Sequence, residues 1–152
     1  MAGSVFVPAF AAYEARVRES FARQGAMKLI RAQITDVAPG YCAISLTPRP
    51  ELSQQHGFVH AGIVSAIVDS AGGYAGFTLF PEDASVLTVE FKLNLVAPAK
   101  GRRIVAEGFV VKPGRTLAIT RGEVHAEEQD GKRTLVAIMQ QTLMVMKGKS
   151  DR

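Results

Sequence analysis

One carboxylate stands where a carboxylate is costly. Residues 61–79 run for nineteen positions with a single charge, Asp69. A charge in apolar surroundings must be paired or hydrogen-bonded. Asp69 is therefore either a helix-packing residue satisfied by a backbone or hydroxyl partner, or a base or nucleophile held where water is scarce. The segment before it reads Gln54-Gln55-His56-Gly57-Phe58-Val59-His60-Ala61-Gly62. Small residues at a helix start leave backbone N–H groups uncovered at the positive end of the helix dipole, where an oxyanion can bind. The Gln54 amide could add a side-chain donor. Gly62 and Asp69 share a helix face, since seven residues fall roughly 20° short of two turns. They are also about 10.5 Å apart along the axis, too far to act on one carbonyl carbon. If both groups do chemistry, each Asp69 meets the helix start of a second copy. A two-fold dimer with two shared sites follows from that reading.

These residues need elements to hold them. Residues 9–24 read as an amphipathic helix, with Pro8 before it and Gly25 at its end. Residues 27–37 and 41–47 read as strands joined by a turn at Pro39-Gly40. Residues 48–59 read as a loop, and the apolar helix follows until Pro81 closes it. In residues 86–95, Leu87, Val89, Phe91, Leu93 and Leu95 alternate with Thr88, Glu90, Lys92 and Asn94, so one strand is expected with the apolar set facing the core. Further strands are expected over 102–112, 115–127 and 132–146, with turns at Pro113-Gly114 and Asp130-Gly131. Short turns make these later strands antiparallel. The expected fold class is α+β, an antiparallel sheet wrapped around one long apolar central helix. Gly72, Gly73 and Gly76 are expected to let that helix approach the sheet closely.

The chain has 152 residues, 47% of them hydrophobic and 21% charged. That suits one domain over 1–152, with residues 1–25 as an N-terminal helical extension. The net charge of +4 comes from scattered residues, and no basic run carries interleaved aromatics, so nucleic acid is not an expected partner. The apolar stretch invites a membrane reading, but a mid-helix Asp costs about 2.5–3.5 kcal/mol on insertion, and there is no second stretch of its kind. A reduced, cytoplasmic setting is expected from the lone Cys42, which also excludes a cysteine-based metal site. Phosphate-binding glycine loops, the G-x-S-x-G elbow and H-E-x-x-H are all missing.

The block His60-Ala61-Gly62, with Asp69 nine residues after the His, resembles the H-G-G…D signature of hotdog-fold acyl-CoA thioesterases of the PaaI type, in the 4-hydroxybenzoyl-CoA thioesterase-like superfamily. Residues 87–95 ending in Pro98-Ala99, and the turn Lys112-Pro113-Gly114-Arg115, fit the same family over about residues 26–147. The resemblance implies a hotdog fold and hydrolysis of an acyl-CoA thioester. Asp69 is then base or nucleophile, and the Ala61 N–H, with Gly62 beside it, polarises the carbonyl. His60 sets the helix start, and the Thr88 hydroxyl supports the attacking water. Two positions depart from the pattern: Ala61 replaces a glycine but keeps its N–H, and Gln54 replaces an asparagine with a longer amide. Strand alternation adds a tension, because it places Thr88 with Glu90 and Lys92, away from the apolar side. Coenzyme A enters as part of the substrate, with no cofactor or metal expected, and its phosphates would take cations such as Lys112 and Arg115. A homodimer is implied, and a pairing of two dimers is common in the family. Other readings stay open: a non-catalytic acyl-CoA or lipid-binding hotdog module, a hotdog 3-hydroxyacyl-thioester dehydratase or hydratase with a His base, and an interaction-only dimer. His56 is expected in a loop, His125 on the surface, Cys42 as a small buried apolar group, and Met139, Met144 and Met146 as core or interface filler.

Overall fold

The computed structural model describes residues 6–149 and residue 151. Its helices are α1 (Tyr13–Arg23), α2 (Gly25–Ile30) and α3 (Ala61–Phe77), with a short 3-10 turn at Pro50–Leu52. Its strands are β1 (Gln33–Ala38), β2 (Tyr41–Leu46), β3 (Ala84–Leu95), β4 (Arg103–Lys112), β5 (Leu117–Glu127) and β6 (Arg133–Lys147). They form one antiparallel sheet in the order β1-β2-β4-β5-β6-β3. Both edges come from the first half of the β-sequence, so the late hairpins fill the middle. The glycines of the Pro39-Gly40 and Asp130-Gly131 turns adopt φ of 76° and 84°, a region open to glycine at no steric cost.

Helix α3 lies against β2, β4 and β5, as a sequence apolar on nearly every side requires. Ile67, Val68, Ala71, Ala75 and Phe77 are fully buried there, each large side chain contributing about 1.5–3 kcal/mol of burial. The approach is close because two strand positions carry no side chain. Gly108 of β4 pairs with Gly122 of β5. A Cβ on Gly108 would sit 2.3 Å from the Ala71 carbonyl, and one on Gly122 would sit 2.5 Å from Val68 Cγ2. Gly76 meets the sheet in the same way, against Leu143. Cys42 lies in this core, and burial pushes its thiol up to about 12.

Helix α1 is tied to the end of α3 by one side chain. The Arg16 guanidinium donates to the carbonyls of Phe77 (2.7 Å), Phe80 (2.9 Å) and Pro81 (2.6 Å). It also stands 3.9 Å from the Phe77 ring centroid and 4.5 Å from that of Phe10. The last carbonyls of a helix lack partners and carry partial negative charge, which a cation satisfies.

The structure differs from expectation at two elements. Residues expected to begin a strand at 27 instead form α2, because Met27 and Ile30, three residues apart, both turn into the core. The helix closes when Ala32 N–H reaches the Met27 carbonyl past Arg31, whose φ is 56°. The second difference is in β3. Its pairing with β6 skips Val89, leaving a bulge between Thr88 and Glu90. Before the bulge, Val86 and Thr88 share the helix-facing side with Val145 and Leu143; after it, Phe91, Leu93 and Leu95 do, with Gln141, Met139 and Ala137. One extra residue switches the parity of a strand. Leu87 therefore faces outward, and Thr88 faces inward, contrary to the simple alternation. His125 is half-buried rather than free on the surface, with Nδ1 3.6 Å from Glu107 Oε2.

The glycine contact gives a direct test. Gly108→Ala should lower stability by about 1–3 kcal/mol, since backbone atoms cannot swing aside. Gly25→Ala, with nothing within 4 Å of its added Cβ, should stay within about 0.5 kcal/mol of wild type. Urea unfolding at one protein concentration reads both.

Candidate active site

Asp69 sits two turns into α3, half-buried. Its Oδ1 accepts the Thr88 hydroxyl at 2.8 Å and the Gln141 amide Nε2 at 2.6 Å. The amide also lies 3.1 Å from the Asp69 backbone carbonyl. Gln141 is 1% exposed, and its Oε1 accepts from the buried Thr120 hydroxyl at 2.7 Å. Among the described residues no donor reaches Oδ2. Hydrogen bonds to a carboxylate are about twice as strong as neutral ones, so the group is held by one oxygen and open at the other.

Asp69 also lines a cavity of about 460 Å³, together with Thr88, Gly73, Tyr74, Val86 and Leu87 among others. Gly73, one turn beyond Asp69, has nothing within 4 Å of a built Cβ. It is therefore a cavity-lining position and not a packing glycine. Gly72 is the packing one, since a Cβ there would lie 2.2 Å from Gln141 Oε1. Ser20 of α1 and Gln24, the residue that caps its end, supply a wall. Gln24 Nε2 donates to the Tyr74 hydroxyl at 2.8 Å, with Ser20 Oγ 3.1 Å away. Burial pushes the Tyr74 hydroxyl up from its ordinary value, against those two hydrogen bonds.

The helix start is built by His60. With φ −60° and ψ 139° it is the N-cap, and its Nδ1 accepts from the Gly62 N–H at 2.8 Å. A ring accepting at Nδ1 is neutral, with its proton on Nε2. The His60 carbonyl takes the Ile63 and Val64 N–H groups. Among the described residues the Ala61 N–H has no partner, and it is exposed. Gln54 Oε1 accepts from the His56 N–H, which ties the loop, and among the described residues the amide nitrogen has no acceptor. Gln54, Phe58, His60 and Ala61 line a second cavity of about 500 Å³, with Leu95 and Val136 opposite.

The chain thus brings together Asp69 with Thr88, and Gln54 with His60 and Ala61, in two separate cavities. Ala61 and Asp69 are about 12 Å apart along the axis. Lys112 and Arg115, at the β4–β5 turn, line neither. The C-terminal half of α3 is fully covered, whereas Ala61, Gly62, Ser65, Ala66 and Asp69 remain wholly or partly open. Beside them, Leu87, Val89, Phe91 and Leu95 of the edge strand β3 are each more than 40% exposed.

Comparison with known proteins decides the family. The model of the thioesterase superfamily matches residues 56–132, more than half of the chain. The chain belongs to the thioesterase superfamily. It is similar to the crystal structure of a thioesterase family protein from Silicibacter pomeroyi, with 47% identity, 90% of this chain and 99% of that one covered, and a TM-score of 0.87. A Saccharolobus solfataricus protein that carries a provisional esterase name is 27% identical over 106 residues, 69% of this chain and 73% of that protein. The Escherichia coli PaaI protein shares the fold, with a TM-score of 0.78 at 15% identity over 91% of this chain and 96% of that one. The sheet around α3 is accordingly the hotdog fold of thioesterases.

Gln141 and Thr120 are the polar residues of this thioesterase fold that sequence reasoning missed. A signal was present. The helix-facing side of β6 reads Ala137, Met139, Gln141, Leu143, Val145, one amide in an apolar row. It is the same anomaly as Asp69 in its helix, and the two anomalies meet.

The cap is testable on its own. His60→Ala should cost about 0.5–2 kcal/mol, and His60→Asn, whose side chain can still accept from the helix start, should recover most of it. Denaturant midpoints measure both.

Proposed function

We propose that the protein hydrolyses an acyl-CoA thioester to the free acid and coenzyme A. The observation that carries this reading is the Asp69 carboxylate, tied by Oδ1 to Thr88 and Gln141, with no donor on Oδ2 among the described residues, in the lining of a cavity. Asp69 takes a proton from water, and the water oxygen bonds to the thioester carbon. The carbonyl electrons move to oxygen, and the Ala61 N–H at the positive helix end donates to that oxyanion. Collapse breaks the C–S bond, and the proton held on Asp69 passes to the leaving sulfur. Direct attack by Oδ2 uses the same groups: it breaks the C–S bond, expels the coenzyme A thiolate, which takes a proton from water, and leaves an anhydride that a second water opens to the free acid and the Asp69 carboxylate. Gly62 serves by donating to His60, which leaves Ala61 as the oxyanion donor, with the Gln54 amide beside it. Lys112 and Arg115 are proposed to meet the coenzyme A phosphates.

The His60 geometry favours this over a His-based dehydratase. Its Nδ1 is occupied by Gly62 and its Nε2 carries the proton, so the ring has no free basic nitrogen.

The working unit is proposed as a two-fold dimer. Asp69 and Ala61 face different cavities in one chain, and an antiparallel α3 from a second copy would bring one of each together. The small residues on the open half of α3 and the apolar β3 edge support that packing.

Thiol release from a panel of aromatic and C4 to C16 acyl-CoAs tests the activity. Asp69→Asn should lower kcat by about 100-fold or more. No turnover on any member, with an acyl-CoA still raising the melting temperature, would mean a binding module.

The shared site has its own test. Ala61→Pro removes the N–H at the first helical position, where proline is well tolerated, and His60 already has the extended backbone a following proline needs. It should fold and lose about 10²–10³ in kcat. Co-expressing Ala61→Pro with Asp69→Asn should restore about a quarter of wild-type activity, because half of the dimers are mixed and each has one intact site. No recovery would place both groups in one chain.

The cavity predicts selectivity as well. Gly73→Leu should suppress turnover of bulky acyl groups and spare small ones. Gly73→Ala should gain about 0.5–1 kcal/mol of stability in the helix.

A further inference from the structure

We infer that Gln141, anchored by Thr120, is a positioning residue that fixes the Asp69 carboxylate so that Oδ2 is its working oxygen. The inference rests on the hydrolase reading above and adds a residue to it. The hydrogen bonds have only one consistent direction. Both Asp69 atoms within reach of the amide, Oδ1 and the backbone carbonyl oxygen, are acceptors, so the Gln141 amide must turn its nitrogen to Asp69. Its Oε1 then faces Thr120, whose hydroxyl must donate. Thr88 spends its proton on Oδ1, and its oxygen lies 3.3 Å from Gln141 Nε2 as an acceptor. Thr120, Gln141, Thr88 and Asp69 thus form a closed set with every donor directed.

The set also explains why the side chain cannot wander. Gln141 and Thr120 are 1% and 0% exposed, so no water competes for the amide. The fully buried Leu143 occupies the neighbouring helix-facing position of β6. Gly72 makes the room, since its absent side chain is the space Oε1 fills. Two donors on Oδ1 fix the carboxylate plane, because rotating about χ2 would break both hydrogen bonds. The remaining oxygen is then aimed by the fold before any substrate arrives. Such preorganisation acts on the chemical step rather than on binding.

Four variants read this role. Gln141→Met keeps size and loses the donor, and kcat should fall about 10- to 100-fold with KM within twofold. Thr120→Val touches neither Asp69 nor substrate, and should lower kcat about fivefold while Thr120→Ser restores it. In the Asp69→Asn background, Gln141→Met should cost nothing further, because the amide acts through that carboxylate. An equal loss in both backgrounds, a raised KM at unchanged kcat, or full activity of Gln141→Met would overturn the assignment. A crystal structure of Gln141→Met gives a readout that needs no turnover. Asp69 should occupy more than one orientation there, and a single unchanged orientation would sink the proposal. Absence of thiol release by the wild-type protein would instead sink the hydrolase reading, leaving the crystallographic result to judge the positioning.

Discussion

Helix α3 lies directly on sheet backbone, and nearly everything else depends on that approach. At Gly108 and Gly122 the strands present no Cβ, so the helix main chain at Ala71 seats on Gly108 and the Val68 side chain seats on Gly122. A helix seated this deep brings Asp69 within reach of side chains rooted on two strands, Thr88 on β3 and Gln141 on β6. Raised by one side-chain layer, Asp69 would lose the 2.6 Å and 2.8 Å bonds that tie its carboxylate. The glycines that cost helix and strand propensity are thus the positions that set the height of the candidate site.

The same helix is covered unevenly, and this shapes the site. Its C-terminal half is enclosed by sheet and by α1, with Arg16 satisfying the carbonyls at its end. Its N-terminal half is open on one side, and an apolar edge strand runs beside it. A helix start that is to bind an oxyanion must stay uncovered by its own chain, since a buried N–H would already have a partner. Openness there and enclosure around Asp69 are different requirements. One chain meets them two turns apart on one helix, at its start and at its middle, and the proposed second copy is what would bring the two positions together.

Much of this was legible in the sequence. The apolar run of 61–79, the lone Asp69, the small residues of His60-Ala61-Gly62 and the hairpin turns each act locally, so composition and spacing expose them. The start of α2 was not legible, because Met27 and Ile30 suit a strand or a helix and only the core packing decides. Gln141 escaped because its partner is seventy-two residues away, and pairing across a sheet leaves no local signature. Gly72 and Gly73 are neighbours of one type with opposite roles, and only the position of the sheet separates them.

The bulge at Val89 shows how a local irregularity can serve two incompatible demands. Thr88 must turn toward the helix to reach Asp69, and Phe91, Leu93 and Leu95 must turn the same way to continue the apolar face. In a regular strand residue 88 and residues 91, 93 and 95 lie on opposite sides. One unpaired residue reverses the parity between them. The cost is a locally broken ladder, and it falls on an edge strand where one side of the ladder is already free. The perfect alternation of 87–95 in sequence is therefore not a record of which side chains share a face. It hides a change of face at the one position where a polar side chain had to enter.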